Sequence, residues 1–88
     1  MSQYAVEFKP SADKALKRLP VAVQRRIVTA TELLAHNPRP VGAVKLAGEE
    51  KTYRLRVGDY RIVYEIHENR LIILVLRVAH RKDAYRGM

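Results

Sequence analysis

The stretch Tyr53-Arg54-Leu55-Arg56-Val57-Gly58-Asp59-Tyr60-Arg61-Ile62-Val63-Tyr64 decides the fold. On either side of Gly58-Asp59, apolar and polar residues alternate with the period of a half-buried strand. Gly-Asp between two such runs predicts a two-residue hairpin turn, with Gly58 at the position that needs positive φ. The turn sets the register: Val57 faces Tyr60, Arg56 faces Arg61, Leu55 faces Ile62, Arg54 faces Val63 and Tyr53 faces Tyr64. Tyr53, Leu55, Val57, Tyr60, Ile62 and Tyr64 then share a core face, and Arg54, Arg56 and Arg61 share the other. Like charges directly across a strand pair destabilise by about 0.2–1 kcal/mol. Such a patch is either a solvated basic face or a seat for something anionic, and arginine suits planar, bidentate phosphate contacts.

The chain has 88 residues, enough for a single domain over 1–88 with one modest core. It contains no Cys, which removes disulfides, thiolate nucleophiles and Cys-ligated zinc. Its first residues, Met1 to Glu7, lack a basic segment followed by an apolar run, so a cytoplasmic protein is expected. The longest apolar run, Leu71 to Leu76, is too short to span a bilayer. The net charge of +8 is spread over both halves and biases the surface toward a large polyanionic partner.

Outward from the hairpin, Tyr4, Val6 and Phe8 alternate within Gln3 to Phe8 and predict a first strand, broken at Lys9-Pro10. Ser11 is the expected N-cap of a short amphipathic helix that carries Ala12, Ala15, Leu16 and Leu19, with Asp13 in its first turn. Pro20 fits the first position of a second helix. Val23, Ile27, Ala30 and Leu34 form its stripe, Leu33 widens it, and Asn37-Pro38 stops it. Arg39 to Glu50 reads as loop, with Leu46 reaching into the core. After the hairpin, His67 to Arg70 is a polar turn. Leu71 to Val78, apolar on both parities, reads as a central strand covered on both faces. The expected fold is α+β, in the order β-α-α-β-β-β: a small twisted antiparallel sheet with an N-terminal helical hairpin on one face. The arginine face is the opposite one, and the polar tail returning from the last strand is expected to bring His80, Arg81 and Tyr85 to it.

His36, His67 and His80 show no metal-ligand spacing, and no paired carboxylates, Gly-rich phosphate loop or serine triad stands out. No cofactor or metal is expected. Arginine, histidine and tyrosine remain, which is the chemistry of metal-free RNA cleavage: the 2′-hydroxyl attacks its own phosphate, cations stabilise the charge that grows on the phosphoryl oxygens, and a base and an acid move protons. Arginine stays charged and suits the stabilising role. His80 belongs to the residue type that titrates near neutrality unaided. Tyr85 is expected to stack on a base or to transfer a proton; to act as a base its phenol would need a lowered pKa, and surrounding arginines would push it in that direction.

The hairpin stretch, together with Leu76-Arg77-Val78-Ala79-His80-Arg81-Lys82-Asp83-Ala84-Tyr85, resembles the signature regions of RelE-type toxins of the RelE/ParE superfamily. The order of elements resembles theirs over nearly the whole chain. The resemblance implies a toxin of a type II toxin–antitoxin pair that enters the ribosomal A site and cleaves the mRNA codon there by 2′-hydroxyl attack, without a metal. By position it implies site residues Arg54, Arg56, Arg61, Arg81 and Tyr85, with His80 beside them. The best-known members carry lysines where this chain has Arg54 and Arg56. Arginine does not give up its proton, so the proton is expected to pass through His80 or Tyr85. The implied partners are the ribosome with its mRNA and a RelB-like acidic, partly disordered antitoxin that folds on the toxin; operator DNA is met only through their complex, and no membrane is involved. Two rivals remain: a ParE-like toxin acting on DNA gyrase, since one scaffold hosts both activities, and a non-catalytic basic module that binds nucleic acid. The lack of a base-stacking aromatic array on the arginine face counts against the last.

Overall fold

The structure, a computed structural model, describes residues 3–82. In chain order it runs β1 (Ala5–Phe8), α1 (Pro10–Lys17), α2 (Val21–His36), β2 (Val44–Lys45), β3 (Thr52–Val57), β4 (Tyr60–His67) and β5 (Ile72–His80). Gly58 adopts φ +61°, and β3 and β4 pair in the expected register, from Val57 with Tyr60 to Tyr53 with Tyr64. Alternation and turn chemistry act together here, because a one-residue slip would turn every tyrosine of the core face toward solvent.

The strands form one sheet in the order β1-β5-β4-β3-β2. The α+β fold with an N-terminal helical hairpin is the expected one, with two differences in the sheet. First, β1 runs parallel to β5, Ala5 beside Ile72 and Phe8 beside Val75, so the sheet is mixed instead of all-antiparallel. Alternation in β1 says which side chains turn inward but not which way the strand runs, and the long path to β5 permits either direction. Second, the loop contains a short edge strand, β2, which pairs Val44 with Arg54.

Both helices cover one face. Ala12 and Leu16 of α1 and Ile27 and Leu34 of α2 meet Ile62, Tyr64, Ile66, Ile73, Val75 and Val78 of the sheet. Burying each of the large aliphatic members contributes about 1.5–3 kcal/mol. Helix α1 starts one residue before the expected cap: Lys9 is its N-cap and Pro10 its first residue, where a missing N–H costs nothing. In α2 the buried stripe is Ile27, Thr31, Leu34 and Ala35. Thr31 fits because its Oγ1 donates to the Val28 carbonyl at 2.7 Å. Leu33, expected to widen the stripe, is 64% exposed.

The last strand departs most from expectation. Tyr64 pairs with Val75 but Val63 pairs with Arg77, so Leu76 is an extra residue, a β-bulge. Val75 and Val78, three apart, are both buried toward the helices. Leu74 and Leu76 are only half-buried, on a face that no helix covers. Leu46 joins that open face, in a cavity with Val63 and Leu76, instead of the helix-side core.

Far from the hairpin turn, the Tyr64 hydroxyl donates to the Pro38 carbonyl at 2.7 Å. Arg39 donates to the Tyr53 hydroxyl at 3.1 Å, lies over the Tyr53 ring and pairs with Glu68. Burial pushes the Tyr64 phenol up to about 12, helped by Tyr53 and opposed by Arg39. These contacts pin the segment after α2 to the sheet.

Candidate active site

The open face carries cations in rows across the strands. Arg56 and Arg61 stand opposite each other at the turn end. In the next row Arg54 faces Val63, and Val63 faces Arg77 on the other side. Same-face neighbours along a strand are about 7 Å apart, so the rows form one basic surface. Arg56 is exposed, whereas Arg54 and Arg61 are half-buried.

The hairpin turn holds its neighbours by polar contacts. Arg56 Nε donates to the Gly58 carbonyl at 3.0 Å. The Arg81 backbone N–H donates to the Asp59 carbonyl at 2.7 Å, and Arg81 Nε lies 3.9 Å from Asp59 Oδ1. Arg81 is thereby tied to the turn by main chain and side chain, beside the Arg56–Arg61 row. Arg26 of α2 crowds the same turn: a Cβ on Gly58 would lie 3.0 Å from its Nη2. Arg61 carries the clearest mark of a binding group. Its Nη1 is buried with no hydrogen-bond partner among the described residues, and a buried donor left unmade costs about 1–3 kcal/mol, more when charged.

The structure thus brings together Arg54, Arg56, Arg61 and Arg81, but it places His80 elsewhere. His80 faces Tyr60, and Arg61 faces Ala79. The His80 ring packs edge-on against Tyr60, with centroids 5.2 Å apart, on the helix-side parity. Its Nδ1 accepts from the Lys82 N–H at 3.2 Å. The bulge at Leu76 is the cause: it reverses parity for the rest of the strand, taking His80 off the arginine face and putting Arg77 on it. Sequence reasoning passed over Arg77 for the same reason. Tyr85 lies outside the described residues. Among the described residues, no group of three or more His, Cys, Asp or Glu is placed to hold a metal, and no helix is long and apolar enough to cross a membrane.

A family profile described as ParE toxin of type II toxin-antitoxin system, parDE, matches residues 6–85. Toxin RelG of Mycobacterium tuberculosis is 36% identical over 87 residues, covering 94% of this chain and 97% of that one. The chain is a RelE-type toxin of the RelE/ParE superfamily. The fold of this RelE-type chain is also that of solved relatives. The archaeal RelE–RelB complex from Pyrococcus horikoshii contains a chain with TM-score 0.81 and 32% identity, covering 93% of this chain and 99% of that one. The RelB–RelE antitoxin–toxin complex from Methanococcus jannaschii contains one with TM-score 0.72 and 30% identity, covering 93% and 98%.

Proposed function

We propose that this RelE-type toxin is a ribosome-dependent mRNA endonuclease that cleaves codons in the A site without a metal. The observation that carries the reading is Arg61, whose buried, unpartnered Nη1 sits in a face shared with Arg54, Arg56 and the turn-held Arg81. A phosphodiester on this face supplies the counter-charge for the arginines gathered there. The nucleotide's 2′-hydroxyl attacks the adjacent phosphorus and the bond to the 5′-oxygen breaks, leaving a 2′,3′-cyclic phosphate and a 5′-hydroxyl end. Arg61 and Arg81 stabilise the phosphoryl oxygens as their charge grows, and Arg54 and Arg56 hold the flanking backbone. Arginine stabilises charge without exchanging protons, so proton transfer falls to Tyr85.

The partner that restrains this activity is an acidic antitoxin. The net charge of +8 favours one, and the solved relatives from Pyrococcus horikoshii and Methanococcus jannaschii are complexes with RelB. Ribosome and mRNA are the targets, the cytoplasm is the site of action, and operator DNA is met through the antitoxin complex.

The name of the matching family profile favours a second reading, a ParE-like toxin acting on DNA gyrase. Mapping mRNA 5′ ends in a cell-free translation reaction, alongside a gyrase supercoiling assay, separates the two. New ends inside A-site codons, absent with Arg81→Ala or without ribosomes, are expected. Intact mRNA with arrested supercoiling would replace the endonuclease reading with the gyrase one.

A further inference from the structure

Beside the arginine rows, the open face holds a cavity of about 350 Å³, near the lower end of the size of small-molecule pockets. Leu46, Val63 and Leu76 supply apolar wall, and Glu49, Glu65 and Arg77 supply its charge. Glu65 is 23% exposed, and its Oε1 lies 2.8 Å from His67 Nε2, which fixes the carboxylate's orientation. On β4, Glu65 follows Val63, and Val63 lies between Arg54 and Arg77. Val63 and Arg77 belong both to the cavity wall and to that cationic row, and Glu65 lies one same-face step, about 7 Å, along β4 from it. A step of that size is the reach from a nucleotide's phosphate to its base.

We propose that this cavity receives a nucleobase of the bound RNA and selects bases that carry an exocyclic amino group against uracil. The proposal rests on the endonuclease reading and adds a specificity site to it. The apolar wall takes the face of a planar ring. The carboxylates of Glu49 and Glu65 accept from N–H donors, as acidic side chains do from cytosine N4. Cytosine, adenine and guanine each offer an amino group. Uracil flanks its single ring N–H with two carbonyl oxygens, which carboxylates repel. Arg77, within the cavity wall and in line with Arg54, balances the acidic charge and holds the phosphate of the same nucleotide.

Two measurements test this. In the first, ribosomes carry mRNAs with each base in turn at each position of the A-site codon, and single-turnover cleavage is followed. At one position uracil is cut about tenfold more slowly than the other bases. Glu65→Gln and Glu49→Gln, both near-isosteric, bring the rates to within about threefold of each other by slowing cleavage at the amino-bearing bases. In the second, the isolated full chain is titrated with cytidine or uridine 5′-monophosphate at millimolar concentration, and the backbone amides are observed by NMR. Cytidine monophosphate shifts the Val63 and Leu76 amides and uridine monophosphate does not. Cleavage with a base profile that neither substitution alters, together with unmoved amides, would overturn the pocket while leaving the endonuclease reading intact. A cavity that instead receives an antitoxin side chain gives that result. Selective amide shifts with no cleavage of any codon would overturn the endonuclease reading and uphold the pocket. No cleavage and no shift would overturn both.

Discussion

Arg56 and Arg61 stand directly across from each other on neighbouring strands, and Arg61 buries a guanidinium nitrogen that no described residue satisfies. A sheet optimised only for stability would place an opposite charge or an apolar residue at one of these positions. The free toxin carries an unfavourable local arrangement that a bound phosphate would relieve.

Arg61→Gln removes this local cost. The variant is expected to be as stable as the parent to within about 1 kcal/mol, or more stable, because the repulsion and the buried charge go together. Its cleavage rate is expected to fall by about 10²–10³-fold, the usual effect of deleting one group that stabilises a developing oxyanion. Urea denaturation and single-turnover cleavage on the same preparation check both. A large loss of stability would reduce Arg61 to a structural residue.

Gly58→Ala addresses the turn itself. The residue sits at φ +61°, where a side chain costs about 1–2 kcal/mol, and the new Cβ would press on the Arg26 guanidinium at 3.0–3.2 Å. Arg26 is long and exposed and can swing away, so the backbone term dominates. A destabilisation of about 1–2 kcal/mol is expected in denaturant unfolding, and Gly58→Asn should lose less, because Asn tolerates this conformation best among ordinary residues.

Asp59→Asn separates positioning from folding. The Asp59–Arg81 ion pair is long, at 3.9 Å, and its side chains are 65% and 54% exposed, so its loss should change stability by less than about 0.5 kcal/mol. Cleavage is expected to drop about three- to tenfold, carried by kcat more than KM, because Arg81 loses the group that aims it. Equal kinetics for parent and variant would show that the backbone bond from Arg81 to Asp59 suffices.

Tyr64→Phe should cost about 1 kcal/mol near neutral pH, since it deletes the hydrogen bond to the Pro38 carbonyl. Its pH dependence carries a definite sign. Folding raises the Tyr64 pKa from 10.0 to about 12, through burial first and Tyr53 second. The neutral phenol therefore contributes stability fully below the unfolded value, and the contribution is lost as pH rises from about 10 to about 12. Across that window the parent should lose stability relative to Tyr64→Phe, at up to about 1.4 kcal/mol per pH unit. Unfolding curves at several alkaline pH values compare the two slopes.

Much of this architecture follows from short-range pattern. Gly58-Asp59 and the alternation around it determine a register that places Arg54, Arg56 and Arg61 on one face, because turn geometry and side-chain parity are local properties. What the pattern does not contain is the bulge at Leu76 and the direction of β1. Leu71 to Val78 is apolar at every position but Arg77, so nothing in it marks the extra residue, and the parity change that moves His80 away and brings Arg77 in is settled by packing against β4. Leu33 and Thr31 show the same limit on a helix. Hydrophobicity points Leu33 inward, but Thr31 takes the buried place by returning its hydroxyl to the Val28 carbonyl.

The most direct test of the central claim uses a defined ribosome complex carrying one mRNA in two forms, all-ribose and with a 2′-deoxy nucleotide 5′ to the scissile phosphate in the A site. Attack by the 2′-hydroxyl predicts cleavage of the all-ribose message to a 2′,3′-cyclic phosphate and a 5′-hydroxyl end, and an intact deoxy message. Cleavage of the deoxy message, or an all-ribose message left whole by active toxin that arrests gyrase instead, would contradict it.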